Sequence, residues 1–354
     1  MEQDNITVSL LELIERPAFC VRDGVIVNAN QAACQRLLTP GTPVADLVKD
    51  CRDDYQNYSG GSLSLTVTVA GLSCNAQLIR AGGQEIFVLE SENSELRAIA
   101  LAAQHLRNPL NSVMTVADLL PCEDADAAKQ LAQLQKGLFQ LHRIVCNMSD
   151  SYRYQQTGAA HMETTDITGI FYDTIEAIAT HLSANGITLK YAGLSQTVLG
   201  LADREMLERA IYNLISNAAK FMTAGSILEA KLTQKGNILC FTVQETGPDI
   251  RMGQQTNPFF RYLREPSIED SRNGIGLGMA LVRAVAASHG GTVLVDQPEG
   301  MGTRVTVTIA VTQNKESMIR SSIKLPTSTY AGDRDRGLLE LSEILPSDSY
   351  LNIT

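Results

Sequence analysis

The chain has 354 residues, 44% of them hydrophobic and 19% charged, which is the composition of a globular protein with apolar material for two or three cores. Its formal net charge of −10 excludes the basic surface that non-specific nucleic-acid binding or a polybasic membrane contact requires. The seven cysteines are odd in number and contain no C-x-x-C pair, so neither a disulfide framework nor a zinc site is expected; free thiols point to a reducing, cytoplasmic setting. The N-terminus has no basic region followed by an apolar run, and no stretch reaches the roughly 18 apolar residues of a membrane helix, so direct membrane insertion is not expected.

Residues 8–92 read as a small α+β unit. Ala18 to Asn28 form two short strands around an Asp23-Gly24 turn, and Gln31 to Leu38 a short helix. Ser62 to Ala70 and Gly71 to Ile79 alternate as a strand pair, with Glu85 to Leu89 as a last strand. The piece V-I-V-N-A-N-Q-A-A at 25–33 resembles a PAS domain, which implies a site for a small-molecule or protein signal, or else a domain that only supports a dimer.

Residues 94–157 carry two runs of apolar residues in steps of three and four. The first is Leu96, Ile99, Ala103, Leu106, Leu110, Val113, Ala117 and Leu120; the second is Leu131, Leu134, Leu138, Leu141, Val145 and Met148. A break over Pro121 to Asp126 separates them. A 3.5-residue repeat makes a narrow seam that one hairpin cannot cover alone, so an antiparallel hairpin that doubles into a dimeric four-helix bundle, and hence a homodimer, is expected. Over 165–311, helical patterns at 166–185 and 203–222 alternate with six strand-like runs, which predicts an α/β sandwich with a mixed sheet. Residues 312–354 read as a polar tail in which Gly332 to Pro346 has the pattern of a short docking helix. The fold class is thus multidomain α+β.

The chemistry concentrates in the third segment. Gly274, Gly276 and Gly278 alternate ahead of an apolar helical run, so the backbone can approach a phosphate at a helix N-terminus. Asn213, Asn217 and Lys220 fall on one face of the helix at 203–222; an amide oxygen suits Mg²⁺ and a lysine suits phosphate. Glu245 and Gly247 close a strand, where a carboxylate can accept a hydrogen bond from a base amino group.

In this order and spacing the pieces resemble the ATP-binding domain shared by histidine kinases, gyrase, Hsp90 and MutL. N-L-I-S-N-A-A-K-F at 213–221 resembles the family's N-box, and Asn-Pro-Phe-Phe-Arg at 257–261 its F-box. G-I-G-L-G-M-A-L-V-R at 274–283 and G-M-G-T at 300–303 resemble its later glycine boxes. The resemblance implies ATP and Mg²⁺ as cofactors. It implies Asn217 as metal ligand, Lys220 on phosphate, Gly274, Gly276 and Gly278 along the phosphates, and Thr303 near adenine. One box departs: the usual D-x-G-x-G reads Glu245-Thr246-Gly247-Pro248-Asp249. Each change weakens nucleotide binding by about 1 kcal/mol, the scale of one hydrogen bond or nearby charge.

Ala103 to Leu110, A-Q-H-L-R-N-P-L, resembles the histidine kinase H-box H-E-L-R-[TN]-P-L. Aligned without a gap, the acceptor position is Gln104, whose amide cannot accept a phosphoryl group, and His105 stands where the family has its acidic residue. Two readings follow. In one, the chain is a sensor histidine kinase that phosphorylates His105 and passes the group to the aspartate of a response-regulator receiver domain. In the other it is a catalytically inactive, ATP- or ligand-binding dimeric regulator. ATP hydrolysis as in the gyrase-type relatives is a third class, less suited to a heptad hairpin. His142, His161, His181 and His289 share no metal-ligand spacing and read as structural or surface residues.

Overall fold

The computed structural model describes residues 11, 14, 16–58, 61–70, 72–81, 84–89, 94–121, 124–154, 160–220, 222–246, 277–296, 298, 302–312 and 334–351. In the N-terminal unit, β1 (Ala18–Arg22) and β2 (Val25–Ala29) pair antiparallel across Asp23 and Gly24. Both turn residues are left-handed, at φ 53° and 75°, the geometry whose twist matches a tight hairpin. Buried Asn30 caps α1 (Gln31–Gln35): its Oδ1 accepts the N–H groups of Ala33 and Ala18, and its Nδ2 donates to the carbonyls of Ile14 and Arg16. With β3 (Ser62–Val69), β4 (Leu72–Ala81) and β5 (Gln84–Leu89) the order is β2-β1-β5-β4-β3. Phe19 and Phe87 stack at 5.0 Å in its core. Two 3₁₀ turns and α2 (Arg52–Asn57) fill 44–57, a stretch with too few apolar positions to announce itself as helical.

The hairpin consists of α3 (Ser94–Asp118) and α4 (Ala125–Arg153), the latter capped by Asp124. Met114 and Ala117 of α3 share a core with Ala132, Phe139 and Cys146 of α4, and Ala100 and Ala103 of α3 are buried as well. The small residues allow close approach, and they leave the larger half of the seam outside: Leu106, Val113, Leu120, Leu134 and Leu141 are all exposed. Pro109 lies within α3. Having no N–H, it leaves the carbonyl of His105 without its helical donor.

Beyond the hairpin, β7 (Thr188–Ala192), β9 (Ile227–Lys235), β10 (Ile238–Thr246), β11 (Val293–Asp296) and β12 (Arg304–Ala310) form a sheet in the order β11-β12-β10-β9-β7. The β7–β9 pair is parallel and the others antiparallel, as a mixed sheet requires. The helices α5 (Ile167–Ser183), α6 (Arg204–Ala219) and α7 (Leu277–Ser288) pack on it through Ile175, Ile211, Leu281 and their neighbours. A short β6 (Glu163–Asp166), polar enough to escape pattern reading, pairs with β8 (Leu199–Ala202) beside the main sheet. β11 also pairs with β3, Val293 opposite Ser64 and Val295 opposite Ser62, so the N-terminal sheet and this one are continuous over ten strands.

The C-terminal segment differs from a polar tail. α8 (Arg336–Glu340) and a 3₁₀ turn at Ser347–Tyr350 dock on the helices, burying Leu338, Leu339, Leu341, Leu345 and Tyr350 in the main core. These apolar residues, clustered within a charged stretch, outweigh its average polarity.

Candidate nucleotide site

Asp203 caps α6 through a 3.0 Å bond from the Met206 N–H to its Oδ1. The helix buries Leu207, Ile211, Leu214 and Ile215, and that rotation turns Asn213 and Asn217 toward α7. Asn213 is fully buried: its Nδ2 donates to the Arg209 carbonyl at 2.8 Å, while its Oδ1 has no hydrogen-bond partner among the described residues. Gly278, in the first turn of α7, faces both amides. A Cβ there would lie 2.8 Å from Asn213 Oδ1 and 3.4 Å from Asn217 Nδ2. Gly278 has no left-handed φ, so close approach of two helices, rather than backbone freedom, is what position 278 requires.

On the other side, Glu245 at the end of β10 faces Gly302, where a Cβ would come within 2.8 Å of the Glu245 Cβ and 3.4 Å of its Oε2. Gln244 pairs with Arg304, so the buried Thr303 follows on opposite Glu245. Lys220 caps the C-terminal end of α6, and its Nζ lies 3.0 Å from Glu343 Oε2 of the C-terminal segment. The structure therefore joins Asn213, Asn217 and Gly278 in one group and Glu245, Gly302 and Thr303 in another. Gly247, Gly274 and Gly276 lie outside the described residues, as do Asp249 and the segment 257–261. An orphaned buried amide oxygen beside a glycine surface fits a polar ligand such as magnesium-bound nucleotide.

His105 and Gln104 are both exposed on α3. Two residues on, Arg107 approaches Asp150 of α4 at 3.8 Å. Asp150 is a hub that sequence reasoning missed: it accepts from fully buried Arg209 of α6 at 2.6 Å and ion-pairs Arg153 at 3.4 Å. A second Arg209 nitrogen donates to Asn147 Oδ1, also at 2.6 Å. The α6 helix is thus fastened to the hairpin by charge. The available signal was Arg209 standing beside the apolar stripe between Glu208 and Ala210, but its partner is far along the chain.

His289 is buried after α7. Its Nε2 accepts from the Asp203 N–H at 3.1 Å and its Nδ1 lies 2.8 Å from the Val285 carbonyl, which fixes the neutral tautomer with hydrogen on Nδ1. Burial lowers its pKa. His142 packs on Met114, His161 pairs with Glu163 and His181 with Asp335. Among the described residues no group of three or more His, Cys, Asp or Glu side chains is arranged to hold a metal. The six described cysteines are free thiols. Burial pushes Cys146 up to about 11.

Residues 202–313 match the family of histidine kinase-, DNA gyrase B- and HSP90-like ATPases. The sensor protein KdpD of Mycobacterium tuberculosis is 25% identical over 270 residues, covering 71% of this chain and 30% of that protein. The signal transduction histidine-protein kinase/phosphatase MprB of Mycolicibacterium vanbaalenii is 30% identical over 224 residues, covering 60% of this chain and 45% of that protein. The chain is a relative of the sensor histidine kinases. It spans less than half of the length of these curated relatives. Full-length ShkA, solved in complex with AMPPNP, superimposes at a TM-score of 0.48 and 23% identity over 61% of this chain and 46% of that one. The mixed sheet with α5, α6 and α7 on it fits the fold of the ATPase family that residues 202–313 match. Among its described residues no helix is long and apolar enough to cross a membrane.

Proposed function

We propose that the chain is a cytoplasmic sensor histidine kinase that binds Mg-ATP, transfers the γ-phosphoryl group to His105 and passes it to an aspartate of a response-regulator receiver domain. One observation carries the reading: Asn213 and Asn217 of the N-box helix meet Gly278 of the glycine box across a close helix contact, in which a Cβ at 278 would lie 2.8 Å from Asn213 Oδ1. Bound Mg-ATP supplies the phosphoryl group and the neutralising cation. Asn217 offers its amide oxygen to the metal, and Lys220 its ammonium to the phosphates. Glu245 would accept from the adenine amino group, with Thr303 alongside; the family resemblance assigns Gly247, Gly274 and Gly276 to nucleotide binding as well. The protein's contribution is positioning and charge. His105 attacks as a neutral imidazole, and the following Leu106 offers no base.

The outward apolar half of the hairpin seam supports a homodimer in which two hairpins close a four-helix bundle, and the N-terminal unit is read as a PAS-like domain for a small-molecule or protein signal. A second reading, an inactive nucleotide-binding regulator, is favoured by Gln104 in the acceptor register and by Glu245 and Asp249 in the first glycine box. Incubation with γ-labelled ATP and Mg²⁺ separates the two. Acid-labile label that disappears in both His105→Gln and Asn217→Ala supports the kinase. Nucleotide binding without any label supports the regulator.

A further inference from the structure

The C-terminal segment contacts both helices of the hairpin and two helices of the ATP-binding unit, α5 and α6. Arg334 pairs with Asp118 of α3 at 2.9 Å. On α4, Tyr350 packs edge-on against Phe139 at 5.3 Å, and Gln140 donates to the Ser342 carbonyl at 3.0 Å. Asp335 meets His181 of α5 at 3.3 Å, and Arg336 meets Glu208 of α6. Arg143 of α4 lies 3.3 Å from Glu340 and 3.6 Å from Glu343. Glu343 then reaches Lys220 at 3.0 Å. Although burial opposes it, Arg143 and Lys220 hold the Glu343 carboxyl below the usual carboxylate range.

A carboxylate offers the same acceptor chemistry to an ammonium as a phosphate oxygen does. Glu343 therefore stands on Lys220, the side chain assigned above to the phosphates. The same segment spans the joint between α4 and α6, so its docking and the relative freedom of the ATP-binding unit are one equilibrium. The Arg143 nitrogens facing the segment and Glu340 Oε2 are within ion-pair range yet lack hydrogen-bond geometry, and buried charge in that state returns little for its desolvation. Apolar anchoring by Leu338, Leu339, Leu345 and Tyr350 carries the docking instead.

We infer that residues 334–351 are an autoinhibitory strap, in which Glu343 competes with the phosphates of the nucleotide for Lys220 while the segment pins the ATP-binding unit to the hairpin. The inference rests on the nucleotide-binding reading above. Binding of Mg-AMPPNP to the full chain and to Glu343→Gln is measured by calorimetry, with Asn217→Ala as the site control. Hydrogen exchange over 336–351 is followed with and without nucleotide. Thermal melts establish that each variant is folded; truncation at residue 333 is a harsher variant, since it removes core leucines. The expected result is binding about fivefold tighter in Glu343→Gln, the weight of one partly buried ion pair, with faster exchange of 336–351 in the wild type once nucleotide is bound. Equal affinities, or a strap whose protection saturating nucleotide leaves unchanged, would overturn the strap while leaving the nucleotide site standing. No binding by any folded variant would overturn the nucleotide site, and the strap with it.

Discussion

A single methyl group at position 278 distinguishes a packing role from a backbone role for this glycine. Gly278→Ala sets a carbon 2.8 Å from Asn213 Oδ1, so the side chain of fully buried Asn213 must shift to admit it. The cost is about 1–3 kcal/mol of stability, as for other overpacked sites, and nucleotide affinity falls at least roughly tenfold because Asn217 is displaced with its neighbour. Urea denaturation and nucleotide titration check the two effects separately. His289 makes a second prediction, in pH. Its folded-state pKa lies below the ordinary 6.5, so the unfolded chain takes up the proton first as pH falls. Stability from the neutral ring is complete above that value. It declines as pH drops below it and levels off once the folded-state pKa has been passed. Protonation replaces the lone pair that accepts from Asp203 with a second donor. His289→Phe should flatten the stability profile below about pH 6.5 and lose about 1–3 kcal/mol at neutral pH, from the orphaned Asp203 N–H.

Between elements, the joint of α4 and α6 depends on charge more than on shape. Arg209→Met leaves buried Asp150 with only Arg107 and Arg153, at 3.8 and 3.4 Å. The expected loss is roughly 3 kcal/mol, read as a lower midpoint in chemical denaturation, because an under-compensated carboxylate stays out of water. Periodicity could not find this joint. A 3.6-residue pattern sorts side chains by polarity and sends arginine outward, whereas Arg209 points inward because Asp150 and Asn147 wait there. The elements themselves were far more legible: β3, β10, α4 and α6 lie where alternation or heptad spacing predicts them. β6 and the turns over 44–57 were not, being short and polar. The site was legible through its glycines and amides, since those residue types answer to backbone contact and ligand chemistry directly. Glu343 was invisible, because nothing local marks a glutamate whose partner is 123 residues away.

At the scale of the molecule, the hairpin shows water a seam of large side chains, with Val113 at 53% and Leu141 at 52% exposure. Such a contiguous stripe is what a second copy would cover. The paired substitution Val113→Glu with Leu141→Glu should halve the sedimenting mass relative to the parent chain while circular dichroism stays the same. A parent chain that sediments as a monomer would dispose of the four-helix bundle.

The pairing of β3 with β11 also fixes how far the molecule can be divided. A fragment starting at the hairpin leaves the backbone groups of Val293 to Val295 without the strand that satisfies them here. A bare strand margin of that kind recruits whatever extended chain it meets, including its own copies. The N-terminal unit thus covers that margin in the intact chain, and a fragment cut away from it is expected to clump where the whole molecule does not.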